Sequence, residues 1–137
     1  MICAFLVALT ISVVNPFIGS SGHGHVFVGA DVPHGQVHAG PMNVTQGWDW
    51  CSGYHSSDST FAGFAQTRLN GTGVADYGDV LLRPQTTDTY EPNGFFLKST
   101  EKCTPGFYEV VLLNGVKAKV TASEHAAVYR FTYPEGE

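Results

Sequence analysis

Apolar and polar residues alternate with a period of two along the last third of the chain. Phe107-Tyr108-Glu109-Val110-Val111-Leu112-Leu113 runs into Asn114-Gly115, and Val116-Lys117-Ala118-Lys119-Val120-Thr121-Ala122 returns in strict alternation. Side chains of an extended strand point to opposite faces in turn, so Val116, Ala118 and Val120 are expected to face a core and Lys117 and Lys119 to face water. Asn-Gly accepts positive φ at both positions, which predicts a two-residue type I′ hairpin turn. A third strand over residues 125–133 places Tyr129, Phe131 and Tyr133 on one face and Val128, Arg130 and Thr132 on the other, and Pro134 closes it. Shorter strands are expected over residues 25–28, 36–38, 79–83 and 94–98, each bounded by Gly, Pro or Asn. No helical 3.6-residue period persists for ten or more residues, and no internal repeat is visible. The pattern predicts an all-β antiparallel β-sandwich of two sheets.

Residues 40–78 break this rhythm. The stretch is rich in glycine, aromatic and polar residues and carries few strand signals, and a long irregular segment inside a compact domain is where function concentrates. The whole chain has 137 residues, room for one domain with its own core. Its 7 basic against 12 acidic residues give a formal charge of −5, with no basic run, so nucleic acid is not expected as a partner. Charged residues are 14% of the chain and aromatics 12%, which suits a β-rich, carbohydrate-active protein.

Residues 1–14 are apolar apart from Thr10 and Ser12, a run too short for a membrane span and read as a signal-peptide core or a first apolar strand over residues 1–13, ahead of one domain over 14–137. Export, to the periplasm or the medium, is the expectation. Removing Cys3 with a leader would leave Cys51 and Cys103 as a disulfide or as two free thiols. Asn43-Val44-Thr45 and Asn70-Gly71-Thr72 match the N-glycosylation pattern, which matters only in a eukaryotic host.

The densest chemistry lies in Gly47-Trp48-Asp49-Trp50-Cys51-Ser52-Gly53-Tyr54-His55-Ser56-Ser57-Asp58. Pyranose C–H faces stack on indole rings, while carboxylates and imidazoles bond the hydroxyls, so this is a sugar-binding kit. The alternative is that a Trp belongs to the core beneath a long loop, although Asp49 between two indoles needs a polar partner. Asp76 and Asp79, three apart in a glycine-punctuated loop, fit turn capping better than catalysis or an EF-hand. His23 and His25, at i and i+2, point the same way on an extended strand and could share a metal, though spacing supplies no third ligand; His34 and His38 qualify only if the fold returns them. No nucleophile elbow, P-loop or dinucleotide fingerprint is present.

Val14-Asn15-Pro16-Phe17-Ile18-Gly19, Gly22-His23-Gly24-His25, the Gly47-Trp48-Asp49-Trp50-Cys51-Ser52-Gly53-Tyr54-His55 segment, Gly71-Thr72-Gly73, Asp76-Tyr77-Gly78-Asp79, Pro105-Gly106-Phe107-Tyr108 and Tyr129-Arg130-Phe131 stand in the order found in glycoside hydrolase family 92, which the chain resembles from residue 14 to 134. The resemblance implies an N-terminal β-sandwich followed by an (α/α)6 catalytic barrel, together an exo-acting, Ca²⁺-dependent, inverting α-mannosidase with its active site between the domains. Acid, base and most Ca²⁺ ligands then belong to the barrel, which this sequence does not reach; no catalytic or metal residue is assigned here, and the chain is expected to be a fragment inactive alone. Its contribution would be pocket residues, Trp48, Asp49, Trp50, Tyr54 and His23, with Asp79 beside them, for α-mannoside glycans. Where the family has a Ser-His-Thr-His-Leu type segment, this chain reads Ala65-Gln66-Thr67-Arg68-Leu69. The rival readings are a stand-alone carbohydrate-binding module and a structural domain awaiting a partner.

Overall fold

The computed structural model describes residues 11, 13–71, 73–87 and 94–136. The leader-or-strand expectation for residues 1–13 therefore lies almost wholly outside the described residues. The chain forms β1 (Gly40–Met42), β2 (Thr60–Phe61), β3 (Gly63–Ala65), β4 (Leu81–Leu82), β5 (Gly94–Phe95), β6 (Lys102–Thr104), β7 (Phe107–Val111), β8 (Lys117–Ala122) and β9 (Ala127–Thr132), with 3-10 turns at Trp48–Trp50 and Lys98–Thr100. All ladders are antiparallel: β6-β7-β8-β9 is a four-stranded meander, β1-β3-β4 a three-stranded sheet and β2-β5 a pair.

The period-two pattern sets which face of the meander is buried. Tyr108, Val110, Val116, Ala118 and Val120 lose all or nearly all contact with solvent, and Tyr129 and Phe131 pack against them from β9. Opposite them, Phe64 of β3 meets the rings of Tyr108, Tyr129 and Phe131 at centroid distances of 6.4, 6.3 and 5.9 Å, and Phe61 links Phe64 to Phe96 at 4.9 and 5.0 Å. Each fully buried aromatic contributes about 1.5–3 kcal/mol from burial, which makes this ring cluster the seam between the layers. The Tyr129 hydroxyl crosses the seam to donate to the Ala65 carbonyl at 3.0 Å. The architecture is the expected all-β one.

On the outer face, Lys102, Glu109, Lys119 and Arg130 stand in one row across the four strands. Glu109 accepts from Lys119 at 3.0 Å and Lys117 at 3.1 Å, so the two lysines turn from the core as expected but pair with a carboxylate as well as with water.

Three expectations change. The β7–β8 connection is not the two-residue turn that Asn114-Gly115 suggests. Leu112 and Val116 still pair, the Gly115 amide donates to the Leu112 carbonyl at 2.9 Å, and only Gly115 has positive φ, at 85°. That is a three-residue loop with a glycine bulge, in which Asn114 uses its side-chain oxygen to hold the Val116 amide at 3.2 Å. Residues 25–28 and 36–38 form no ladder. Their backbone is held by isolated bonds, among them Val26 to Gly19, His25 to Gly71, Gln36 to Glu124 and His38 to Gln66, and pairing starts only at the Ala30–Ala39 bridge. Finally, residues 40–78, expected to be irregular, supply β1, β2 and β3, whose two or three residues are too few to show a period.

Candidate functional site

The Trp48–Trp50 turn is closed by the Trp50 amide on the Gly47 carbonyl (3.1 Å) and the Cys51 amide on the Trp48 carbonyl (3.0 Å). A 3-10 turn has three residues per revolution, so it sends its three side chains in three directions. Trp48 projects outward with 63% of its surface exposed, donates its indole N–H to the Gly73 carbonyl at 2.8 Å, and meets His25 edge-on at 4.2 Å. Trp50 turns inward, stacks on His55 at 4.6 Å and donates its indole N–H to Asp58 Oδ2 at 2.7 Å.

Asp49 lies between them and accepts from His23 Nδ1 at 3.0 Å and more distantly from His25 Nε2 at 3.5 Å. Hydrogen bonding from His23, with His25 adding to it against partial desolvation, holds the Asp49 carboxyl below its ordinary range. The His23 side chain is 87% exposed, whereas that of His25 is buried. Both imidazoles reach the same oxygen of one carboxylate, His23 from a turn and His25 from the chain that follows it, rather than from one face of a strand. Among the described residues no group of three His, Cys, Asp or Glu side chains is arranged to hold a metal. One carboxylate and two imidazoles also do not fit Ca²⁺, which takes six to eight oxygens.

Behind this surface lies a polar scaffold that sequence reasoning missed. Asn43 is 1% exposed; its Oδ1 accepts from the His55 amide at 2.6 Å, and its Nδ2 donates to the carbonyls of Thr60 (2.7 Å) and Asp58 (3.2 Å). Asp58 accepts from Gln46, Trp50 and the Thr60 amide. The Gly22 carbonyl can only accept, so His55 donates to it through Nε2 at 3.1 Å and takes the Ser57 hydroxyl on Nδ1 at 2.8 Å. The single local signal was the Asp58 carboxylate eight residues beyond Trp50.

Of the expected pocket residues, Trp48, Asp49 and His23 share one exposed surface, and Trp50 lies half-buried at its edge. Tyr54 does not join them. It is fully buried, and its hydroxyl donates to both oxygens of Glu101 at 3.0 Å beneath the Lys98 ammonium at 2.6 Å. Burial first, and the Glu101 charge second, push the Tyr54 hydroxyl far above its ordinary pKa. Tyr54 thus anchors the 47–58 segment to the meander and offers no face to a sugar. Asp79 is exposed, and among the described residues no hydrogen bond or ion pair joins it to the other five. Asp76 Oδ1 accepts from the neighbouring Tyr77 amide at 2.8 Å. His34 is exposed and His38 packs on Phe27, so neither returns to His23 and His25. Cys51 and Cys103 are free thiols, and burial pushes the Cys103 thiol to about 12.

An antiparallel β-sandwich carrying a Trp-Asp-Trp turn braced by imidazoles has the composition of a carbohydrate-active domain. The profile of the glycosyl hydrolase family 92 N-terminal domain matches residues 13–137, and the chain belongs to that family. It is similar to an uncharacterized secreted glycosidase of Arthroderma benhamiae, 29% identical over 132 residues that cover 88% of this chain and 17% of the relative. It also superposes on a family 92 α-mannosidase of Bacteroides thetaiotaomicron, solved with mannoimidazole, with a TM-score of 0.86 and 34% identity over 91% of this chain and 18% of that one. An inverting family 92 mannosidase of Bacteroides thetaiotaomicron, at 24% identity and a TM-score of 0.66 over 90% of this chain and 18% of that one, shares the fold. The chain therefore spans under a fifth of the length of these relatives. No helix among the described residues is long and apolar enough to cross a membrane.

Proposed function

We propose that this chain is the N-terminal, pocket-contributing part of a secreted, Ca²⁺-dependent, inverting exo-α-mannosidase whose C-terminal domain carries the acid, the base and the metal. The observation that carries the reading is Trp48, exposed and held edge-on to His25 beside an Asp49 carboxylate already ionised and oriented by His23. An exposed indole is a stacking surface for a mannose C–H face, and a fixed carboxylate accepts from vicinal hydroxyls. The likeness to the α-mannosidase solved with mannoimidazole supports mannose over other sugars. In this reading most of the oxygen ligands of calcium come from the C-terminal domain.

The test follows the two indole N–H resonances of the labelled chain while α-mannobiose is added, with cellobiose as the control. Saturable movement of the Trp48 resonance with α-mannobiose alone, abolished by Asp49→Ala, is expected even for an affinity of roughly millimolar, near −4 kcal/mol. An unmoved Trp48 resonance in the folded protein would overturn the reading.

The exposure of Trp48 favours one further reading, a carbohydrate-binding module that acts without a catalytic partner. That role needs an affinity of about micromolar or better from the chain by itself, which titration calorimetry with α-mannobiose would detect.

A further inference from the structure

Arg68 is a buried cation that forms no ion pair among the described residues, with the Asp76 charge acting on it only from beyond bonding distance. It is 8% exposed; its Nη1 donates to the Tyr77 carbonyl at 2.9 Å and its Nη2 to the Cys51 carbonyl at 3.3 Å, while its Nε has no partner. Burying a guanidinium is costly unless its donors are used, so a position that keeps it for two backbone carbonyls calls for a reason.

Both carbonyls belong to segments that hold Trp48. Cys51 ends the Trp48–Trp50 turn, and its amide is bonded to the Trp48 carbonyl. Tyr77 lies in the 73–78 loop, whose Gly73 carbonyl receives the Trp48 indole N–H. Ahead of it, the Gly71 amide donates to the His25 carbonyl (2.6 Å), and the Asn70 side chain accepts from the Phe27 amide (2.9 Å). The chain has made room for the guanidinium from both directions. Gly53 (φ +87°) and Gly78 (φ +82°) flank it, and a methyl group on either would come within 2.7 or 2.8 Å of its nitrogens. Two glycines in the left-handed region, each backed against the same side chain, show a space fitted to arginine.

We infer that Arg68 is a positioning residue for the sugar-binding surface: by clamping the turn that carries Trp48 to the loop that receives its indole N–H, it fixes the plane of that ring. This rests on the reading of Trp48 as a sugar-stacking surface, but the clamp itself can be tested without sugar. The chain has only two tryptophans, Trp48 and Trp50, and their indole N–H groups end on different parts of the structure, Gly73 and Asp58. Trp50 is thus an internal control for any general loosening.

In Arg68→Met the Trp48 indole proton should exchange with solvent about tenfold faster, as expected when charge-assisted bonds stop restraining the loop, while the Trp50 indole keeps its wild-type rate. Arg68→Lys, which can reach one carbonyl but not both, should fall between, and carries the test alone if Arg68→Met does not fold. An unchanged Trp48 rate, or equal acceleration of both indoles, would overturn the proposal. The affinity for α-mannobiose should drop as the Trp48 rate rises. Failure of binding in the wild type with an intact indole result would sink the sugar reading and leave the clamp standing.

Discussion

Glu101 is the group whose removal tells most about how the 47–58 segment is attached. Its side chain is 6% exposed and accepts from the Tyr54 hydroxyl at 3.0 Å, the Tyr108 hydroxyl at 2.5 Å and the Lys98 ammonium at 2.9 Å. Tyr54 belongs to the site segment, Tyr108 to β7 and Lys98 to the 3-10 turn before β6, so one carboxylate joins three pieces of chain. Glu101→Ala leaves two buried hydroxyls without their acceptor and an ammonium over the rings of Tyr54 and Phe96 without its counter-ion. Hydrogen bonds to a charged group contribute about 1.5–3 kcal/mol each, and breaking a buried pair costs about 3–5 kcal/mol, so with overlap between the bonds the expected destabilisation is about 4 kcal/mol. Glu101→Gln keeps an acceptor and loses the charge, which should cost about half as much. The assay is urea unfolding followed by far-UV circular dichroism, comparing midpoints at constant slope. A cycle with Tyr108→Phe should give a coupling of at least about 1 kcal/mol. A Glu101→Ala loss under about 1 kcal/mol, or no coupling to Tyr108, would refute the idea that this carboxylate ties the segment to the sheet.

Bonding from Lys119, then from Lys117, holds the Glu109 carboxyl below its ordinary value, so its contribution is complete above the unfolded pKa of about 4.3 and disappears as pH falls through the lower folded value. Urea midpoints measured from pH 6 down to about 3 should therefore fall less steeply for Glu109→Gln than for the wild type, and parallel slopes would count against the pairing. Phe64→Ala should cost about 3–5 kcal/mol in the same unfolding assay, since Phe64 is fully buried and touches rings of both layers; a loss under about 2 kcal/mol would mean that the seam closes around the gap.

The last three strands of the meander were legible because they are five or six residues long, enough for Ala118 and Val120 to declare a face; β6, with three residues, gave no such signal. The hairpin turn was misjudged because Asn-Gly also serves a bulged loop, and the choice was made by Leu112 and Val116 pairing one step further out than the alternation required. β1 to β3 were faint for a different reason, whereas β4 and β5 fall inside the expected strands 79–83 and 94–98. Two- and three-residue strands such as Thr60–Phe61 take their conformation from partners distant in sequence, Phe95 and Gly94, and carry no period of their own. In the site, Trp48, Asp49 and His23 could be gathered from residue type. Tyr54 could not be set apart, because its acceptor Glu101 is 47 residues away. Arg68 looked only like a departure from a histidine-bearing segment, since the two carbonyls it serves have no sequence signature at all.

Asn43 opens a sequon, yet every polar atom of its side chain is spent inside the fold, with Nδ2 on two carbonyls at once. A sugar attached to that nitrogen and the native position of Asn43 exclude each other. If the chain is made in a eukaryotic secretory compartment, where such sites are modified as they emerge, each molecule faces a race between transfer of the oligosaccharide and burial of the asparagine, and only those that bury it first reach this structure. Native protein from such a host should therefore carry an unmodified Asn43, and a glycan mapped to it by mass spectrometry of folded material would contradict the geometry. The same residue that organises the site would thereby set how much of the protein is secreted.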